Sequence, residues 1–262
     1  MSITPPPLPP WLPLLEKTIR LVVPKAQRMR VLNATRKRIF NGTAVACPCC
    51  GQTYSRFLPF GKPQRPYARC PGCNALERHR LVWLFLQQAT ALFTPQPTPL
   101  RVLHMAPENI LQSLLKPLPH LNYLSADLAA PNAMVHFDIT AIPYPEASFD
   151  VVLCNHVLEH IPDDRQAMRE LFRVLAPGGW AVLDVPLKWE NATTDEDPSV
   201  TDPAERERRF GQDDHVRWYG RDYLDRLAEV GFVVHQWSPN DAANVTRFGL
   251  PITPLVWVSK PN

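Results

Sequence analysis

Glycine is scarce in this chain, 10 of 262 residues against 30 prolines. The prolines are scattered, so they read as fixed turns rather than as a collagen-like or polyproline chain. No internal repeat is visible. No run of about 18 apolar residues occurs, which excludes a membrane-spanning helix. The start, Met-Ser-Ile-Thr-Pro-Pro-Pro, lacks the charged and apolar regions of a secretory signal, so a cytoplasmic protein is expected. Net charge is also small, +3, which excludes a uniformly basic nucleic-acid wrapper. The charge is unevenly placed, however. Residues 1–80 hold 14 basic and 2 acidic residues, whereas residues 81–262 hold 14 basic and 23 acidic. Two halves with different partners, or with each other as partners, are implied. The apolar fraction of 45% is that of a globular protein, and the length suits one large domain or one and a half.

Three regions follow from pattern. Residues 1–40 form a basic N-terminal segment. Its first ten residues are proline-rich and expected to fray. Residues 11–40 hold 8 basic residues and 1 acidic, with Leu12, Leu15, Ile19 and Val22 at helical spacing and Pro24 as an interruption. Two short amphipathic helices are predicted, packed on the protein or touching phosphates or an anionic membrane surface. Residues 41–95 hold five of the six cysteines and a connecting helix over 75–94. From residue 100 to 262 strands alternate with helices, which predicts a mostly parallel sheet covered on both faces.

The cysteines read Cys47-Pro-Cys-Cys50-Gly and Cys70-Pro-Gly-Cys73-Asn. In a reducing compartment such clusters bind metal more often than they form disulfides. Two C-P-x-C turns aim four thiolates at one point, and tetrahedral Zn²⁺ takes four at about 2.3 Å. A structural zinc held by Cys47, Cys50, Cys70 and Cys73 is expected, in the manner of a zinc ribbon. Cys49 is surplus and should point away. Cys154 sits alone in an apolar run.

Within residues 134–187 three stretches occur together: Asp138-Ile139 before a Pro-x-Pro and Ser-Phe-Asp150 stretch; Asn155-His156-Val-Leu-Glu159-His160-Ile-Pro; and Arg-Val-Leu-Ala-Pro-Gly-Gly leading into a strand. This segment resembles the class I S-adenosylmethionine-dependent methyltransferases. The string around Cys70–Arg80, followed by Leu-His-Met-Ala-Pro-Glu, looks like a bacterial subgroup of that family with an N-terminal zinc ribbon. The resemblance implies a Rossmann-like doubly wound α/β fold over residues 100–262. It also implies S-adenosylmethionine as cofactor and methyl transfer to an O or N atom of a small molecule such as a sugar or secondary metabolite.

In such a sheet the ligand lies across the carboxyl ends of the central strands. Asp127 would then receive the ribose hydroxyls and Asp138 the adenine amino group, with Ile139 covering the ring. Asn155 and His156 would end the fourth strand beside the methyl group. Local turn formation is the plain alternative for both aspartates. The family's glycine-rich first turn is missing. Here it reads His104-Met-Ala106-Pro107-Glu108, with Ala106 the one small residue and Glu108 or the backbone available to the cofactor's amino group.

On the acceptor side, residues 187–220 form a long connection expected to act as a lid. In it His215, Arg217 and Tyr219 alternate. They would share one side if extended, with His215 or His156 as general base and Arg217 and Tyr219 on the acceptor. Arg78 and Arg80 are further candidates for an anionic acceptor. Glu159 and His160 are expected only to cap, pack or pair. Two other readings stay open. An RNA methyltransferase could use the basic zinc module as its grip, and the missing glycines allow a non-catalytic binding module. Oligomeric state is not legible.

Overall fold

A computed structural model describes residues 7–262 apart from Pro63 and Asn240. The expectation that the extreme N-terminus frays therefore falls, for residues 1–6, outside the described residues. The chain divides into two compact units, Met1–Ala89 with Pro239–Ile252, and Thr90–Ser238 with Thr253–Asn262.

The first unit opens with helices α1 (Leu12–Val22) and α2 (Lys25–Ile39), separated at Pro24. The one acidic residue of this basic stretch, Glu16, accepts from Arg36 Nε at 2.7 Å and so ties the two helices together. Hairpins β1 (Asn41–Cys47)–β2 (Gln52–Tyr54) and β3 (Leu58–Phe60)–β4 (Arg65–Arg69) follow, then α3 (Glu77–Gln88). α3 buries Leu81, Val82, Trp83, Leu84, Phe85 and Leu86.

The second unit is built on β5 (Leu100–Met105), β6 (Leu121–Asp127), β7 (Val135–His136), β8 (Phe149–Cys154) and β9 (Leu175–Val182). Helix α4 (Asn109–Leu115) follows β5. A 3-10 turn (Leu158–His160) and α5 (Asp164–Val174) follow β8. Then come β10 (Asp195–Glu196), α6 (Pro203–Phe210), β11 (Arg217–Trp218), α7 (Asp222–Val230) and β12 (Val233–Trp237). Helix α8 (Ala242–Phe248) intervenes before β13 (Leu255–Ser259). The seven-stranded sheet runs β12-β13-β9-β8-β5-β6-β7. The five strands β5 to β9 are parallel, while β13 is antiparallel to both neighbours. β5 and β8 end in four consecutive buried residues each, the mark of strands covered on both faces. α5 turns Ala167, Met168, Leu171 and Val174 inward, one face at 3.6-residue spacing, and Asp163 caps its first turn by accepting from Gln166 N–H. This is a doubly wound α/β architecture with a mostly parallel sheet.

Three boundaries differ from expectation. The third strand is only Val135–His136, shorter than the Met-Val-His-Phe-Asp-Ile stretch of 134–139 that reads as a strand, because Asp138 Oδ1 bonds the Thr140 N–H and hydroxyl and turns the chain. Helix α5 ends at Val174, and Pro177-Gly178-Gly179 lies inside β9. A Cβ on Gly179 would meet the Asp150 and Ala176 carbonyl oxygens at 2.8 Å, so glycine permits the bulge there.

The third difference is larger. Residues 239–252, expected in the methyltransferase domain, fold with the first unit. Arg80 explains this. It is fully buried, and its five N–H groups donate to the carbonyls of Phe248 (2.6 Å), Ala68 and Ala75 (2.9 Å each), Tyr67 (3.1 Å) and Gly249 (2.6 Å). Its guanidinium also lies 3.9 Å over the Phe57 ring. Arg80 thus has no donor left for an acceptor, and its assignment to substrate binding is corrected to a structural one. Arg78 is half-buried in the same first turn of α3. Replacing Arg80 by Met leaves buried carbonyls without a charged donor. It should destabilise the first unit by at least about 3 kcal/mol, read as a lowered urea midpoint for that unit. An unchanged midpoint would contradict this account of Arg80.

Candidate functional site

The cysteine cluster belongs to the first unit. Cys47 Sγ lies 3.6 Å from Cys73 Sγ, and Cys50 Sγ lies 3.9 Å from Cys70 Sγ. All four donors fall within 4.8 Å of one another. A tetrahedron with bonds of about 2.3 Å has edges of roughly 3.8 Å, so the spacing fits one zinc ion.

The two turns are built alike. Gly51 N–H bonds the Cys47 carbonyl and Asn74 N–H bonds the Cys70 carbonyl, at 2.9 and 3.1 Å. The residue after each second cysteine is left-handed, Gly51 at φ +66° and Asn74 at φ +63°. Glycine and asparagine are the residue types that tolerate this conformation. Asn74 also accepts from Arg36 Nη1 at 3.1 Å and donates to Asn33 at 2.9 Å, which docks the second turn on α2. A Cβ on Gly72 would lie 1.9 Å from the Tyr54 hydroxyl, itself 3.7 Å from Cys50 Sγ. Cys49 turns its thiol to the His79 carbonyl, 3.7 Å away. Hydrogen bonds from Cys47 and Cys70 hold Cys50 well below the usual thiol range. Burial instead pushes the lone Cys154 thiol up, leaving it protonated.

In the second unit the candidate residues sit where β5, β6, β7 and β8 end. Met105 pairs with Cys154, so Ala106 and Asn155 leave the sheet side by side. Ala106 has φ +44°, a left-handed alanine in place of the expected glycine, and its N–H bonds the Ala126 carbonyl at 2.8 Å. Pro107 then leads into Glu108, the N-cap residue of α4.

His104 is fully buried, which corrects its expected place on the cofactor. Its ring lies between the Tyr123 hydroxyl, 2.7 Å from Nδ1, and Glu108 Oε2, 2.7 Å from Nε2. It positions Glu108 instead. Asp127 Oδ1 accepts from the Ala129 and Ala130 N–H groups at 2.8 Å, and Asp138 Oδ1 closes the Thr140 turn. Both aspartates thus make the turns weighed as the plain alternative. One oxygen of each has no partner among the described residues. Ile139 is buried.

Asn155 is 4% exposed, and neither its Oδ1 nor its Nδ2 has a hydrogen-bond partner. A buried amide left unmatched is costly. His156 follows with φ +53° and its N–H on the Asp184 carbonyl at 2.7 Å. Its ring lies between carboxylates, 3.3 Å from Glu159 Oε1 and 4.0 Å from Asp184 Oδ2. Such strained backbone in a non-glycine residue is commonest at functional sites.

The residues expected on the acceptor lie elsewhere. His215, Arg217 and Tyr219 do share one side, but it faces inward, at 4%, 4% and 0% exposure. Arg217 donates to Glu196 at 2.8 Å and to the carbonyls of Leu158, Ile161 and Pro162. Tyr219 donates to Asp164 at 2.7 Å, and Arg226 bridges Asp164 and Glu196 at 3.0 and 2.7 Å. Arg217 and Tyr219 therefore staple the connection to the 3-10 turn rather than hold a substrate. Burial lowers the pKa of His215.

Asp164, Glu196, Arg226 and Glu159 were not singled out from sequence as site residues. Only Glu159, inside the Asn155–Pro162 string, carried any signal.

Residues 119–183 match the family described as methyltransferase domain. The matched segment makes up about a quarter of the chain. It holds Asp127, Asp138, Ile139, Asn155 and His156. The chain is 34% identical over 115 residues to 27-O-demethylrifamycin SV methyltransferase of Amycolatopsis mediterranei, a match covering 44% of this chain and 38% of that protein. It is 41% identical over 46 residues to demethylmenaquinone methyltransferase of Listeria welshimeri, covering 18% of this chain and 20% of the relative. The chain thus spans about two fifths and one fifth of those relatives. Among solved structures, the YcgJ protein of Bacillus subtilis aligns over 70% of this chain and 99% of its own, with a TM-score of 0.46 and 16% identity.

The ion network around Glu196 gives a pH prediction. Burial pushes the Glu196 carboxyl up, but Arg226 and Arg217 outweigh it and hold the pKa at about 2. Its folded pKa is below the unfolded value. The stabilisation is therefore complete above about pH 4.5 and is lost as pH falls toward 2. Melting temperatures between pH 5 and 2 should fall less steeply in Glu196→Gln than in the native chain. Equal slopes would contradict the clamp.

Proposed function

We propose that the chain is an S-adenosylmethionine-dependent methyltransferase acting on an O or N atom of a small-molecule acceptor, with a structural zinc in its cysteine cluster. The observation that carries this is the unmatched buried amide of Asn155 at the end of β8. It stands beside the Ala106 turn and in line with the carboxylates that end β6 and follow β7. Four adjacent strand ends thereby offer polar groups of the kind an adenosine and an amino acid require.

In this reading the free oxygen of Asp127 accepts the ribose hydroxyls and that of Asp138 the adenine amino group. Ile139 lies against the ring. Glu108, held by His104, and the Ala106-Pro107 turn face the amino-acid end. When bound, the cofactor supplies a methyl group on a positively charged sulfur. His156 takes the acceptor's proton, and its place between Glu159 and Asp184 suits a ring that gains positive charge. His215 is less suited to that role, because its ring is buried with Nδ1 on the Phe210 carbonyl at 3.0 Å. The small-molecule reading agrees with the two relatives, which are named for a demethylrifamycin and a demethylmenaquinone. It also agrees with the acidic balance of residues 81–262, a poor surface for a polyanion.

Losing a charged acceptor costs about 1.5–3 kcal/mol. Asp127→Ala should therefore weaken S-adenosylhomocysteine binding roughly 10- to 100-fold in calorimetry. An unchanged constant with an intact melt would remove Asp127 from the site. The double variant Cys70→Ser, Cys73→Ser should lose one equivalent of zinc by elemental analysis. It should also unfold the first unit before the second, because small metal domains draw folding energy from the ion. Full zinc retention would overturn the ligand assignment.

A further inference from the structure

A second cluster of metal-ligand side chains lies in the second unit, away from the cysteines. Glu159, His160 and His215 bring one donor atom each within 4.8 Å of one another. Glu159 is 1% exposed, and neither carboxylate oxygen has a hydrogen-bond partner. Among the described residues no Lys or Arg pairs with it. The His156 ring lies 3.3 Å from its Oε1. A buried carboxylate so poorly matched is costly unless a cation joins it.

The histidines are prepared in a particular way. His215 Nδ1 donates to the Phe210 carbonyl at 3.0 Å, which leaves Nε2 as the lone-pair nitrogen. That Nε2 is buried and has no partner. His160 Nδ1 faces the Asp214 carbonyl and carboxylate, both at 3.4 Å, so its Nε2 is likewise left as acceptor. The two rings stand edge to face with centroids 4.7 Å apart. One ring nitrogen donating to a carbonyl or carboxylate while the other points inward is the usual state of a metal-bound histidine. A backbone bond, Val216 N–H to the Glu159 carbonyl at 3.0 Å, holds the His215 strand beside Glu159.

From this geometry we infer that Glu159, His160 and His215 form a binding site for a first-row divalent transition-metal ion, distinct from the cysteine cluster. Two imidazoles and one carboxylate suit zinc, cobalt, nickel or iron(II) better than calcium or magnesium. A tetrahedral ion with bonds of about 2.0–2.2 Å needs donors roughly 3.4 Å apart, so the three side chains draw together on binding. Three protein donors leave at least one position for water. The His160 side chain, 31% exposed, marks the way in. This site shares Glu159 with the proposed surroundings of His156, but its occupancy needs neither cofactor nor acceptor.

The test uses the tag-free full chain with its cysteines already loaded with zinc. Co²⁺ is added and followed by calorimetry and by its visible ligand-field band. The expected result is one further equivalent, with a weak band of nitrogen and oxygen ligation and no thiolate charge-transfer absorption. Glu159→Gln and His160→Ala should each lower that affinity at least about 10-fold. His160 is partly exposed, so His160→Ala should melt like the native chain without cobalt, and its loss of binding then cannot be unfolding. No uptake beyond the cysteine site would overturn the inference. So would uptake equal to the native chain's in both variants.

Discussion

The parallel pairing of β5 with β8 is the constraint on which the candidate cofactor site depends. Chain order reverses between these strands, with β6 and β7 beyond one and β9 beyond the other. All of them point their carboxyl ends to the same edge. Because Met105 pairs with Cys154, the two following residues, Ala106 and Asn155, must leave the sheet together. One adopts a left-handed conformation without being glycine, and the other buries an amide with no partner. Neither is explained by the fold alone. In the proposed reading, a ligand received at this reversal point accounts for both.

A second constraint acts on the long connection. Glu196 and Arg217 are opposite one another in the β10–β11 pair, and Arg226 and Tyr219 converge on Asp164. Arg209 adds bonds to Asp195 and Asp197 at 2.7 and 2.8 Å, which fixes the end of α6. The segment expected as an acceptor-gripping lid is instead held by its own ions against the turn after β8. By that route its histidine, His215, arrives beside Glu159. Interior ion networks of this kind fix one arrangement more than they add stability.

The sequence was most legible where chemistry is local. Two C-P-x-C strings with Gly and Asn after them already describe two left-handed turns. The alternation His215, Arg217, Tyr219 correctly placed three side chains on one face. It did not say that the face is the interior, because the carbonyl partners of Arg217 and Tyr219, at Leu158, Ile161 and Pro162, lie more than fifty residues away. Arg80 read as an exposed cation for the same reason. Its five carbonyl partners come from β4, the second cysteine turn and the end of α8, and no spacing rule announces them. Asp127 and Asp138 were legible as strand-end carboxylates, yet each also makes the local turn such a residue makes anywhere. The Glu159–His160–His215 cluster joins a turn residue pair to a histidine far along the chain, so only the folded structure brings it into view.

The most direct test of the central claim is amide hydrogen exchange of the full chain with and without S-adenosylhomocysteine. The account predicts new protection at the strand-end turns, residues 105–109, 127–130, 137–141 and 155–157, with the first unit unchanged. Absence of protection at these turns, or protection confined to the first unit, would contradict it.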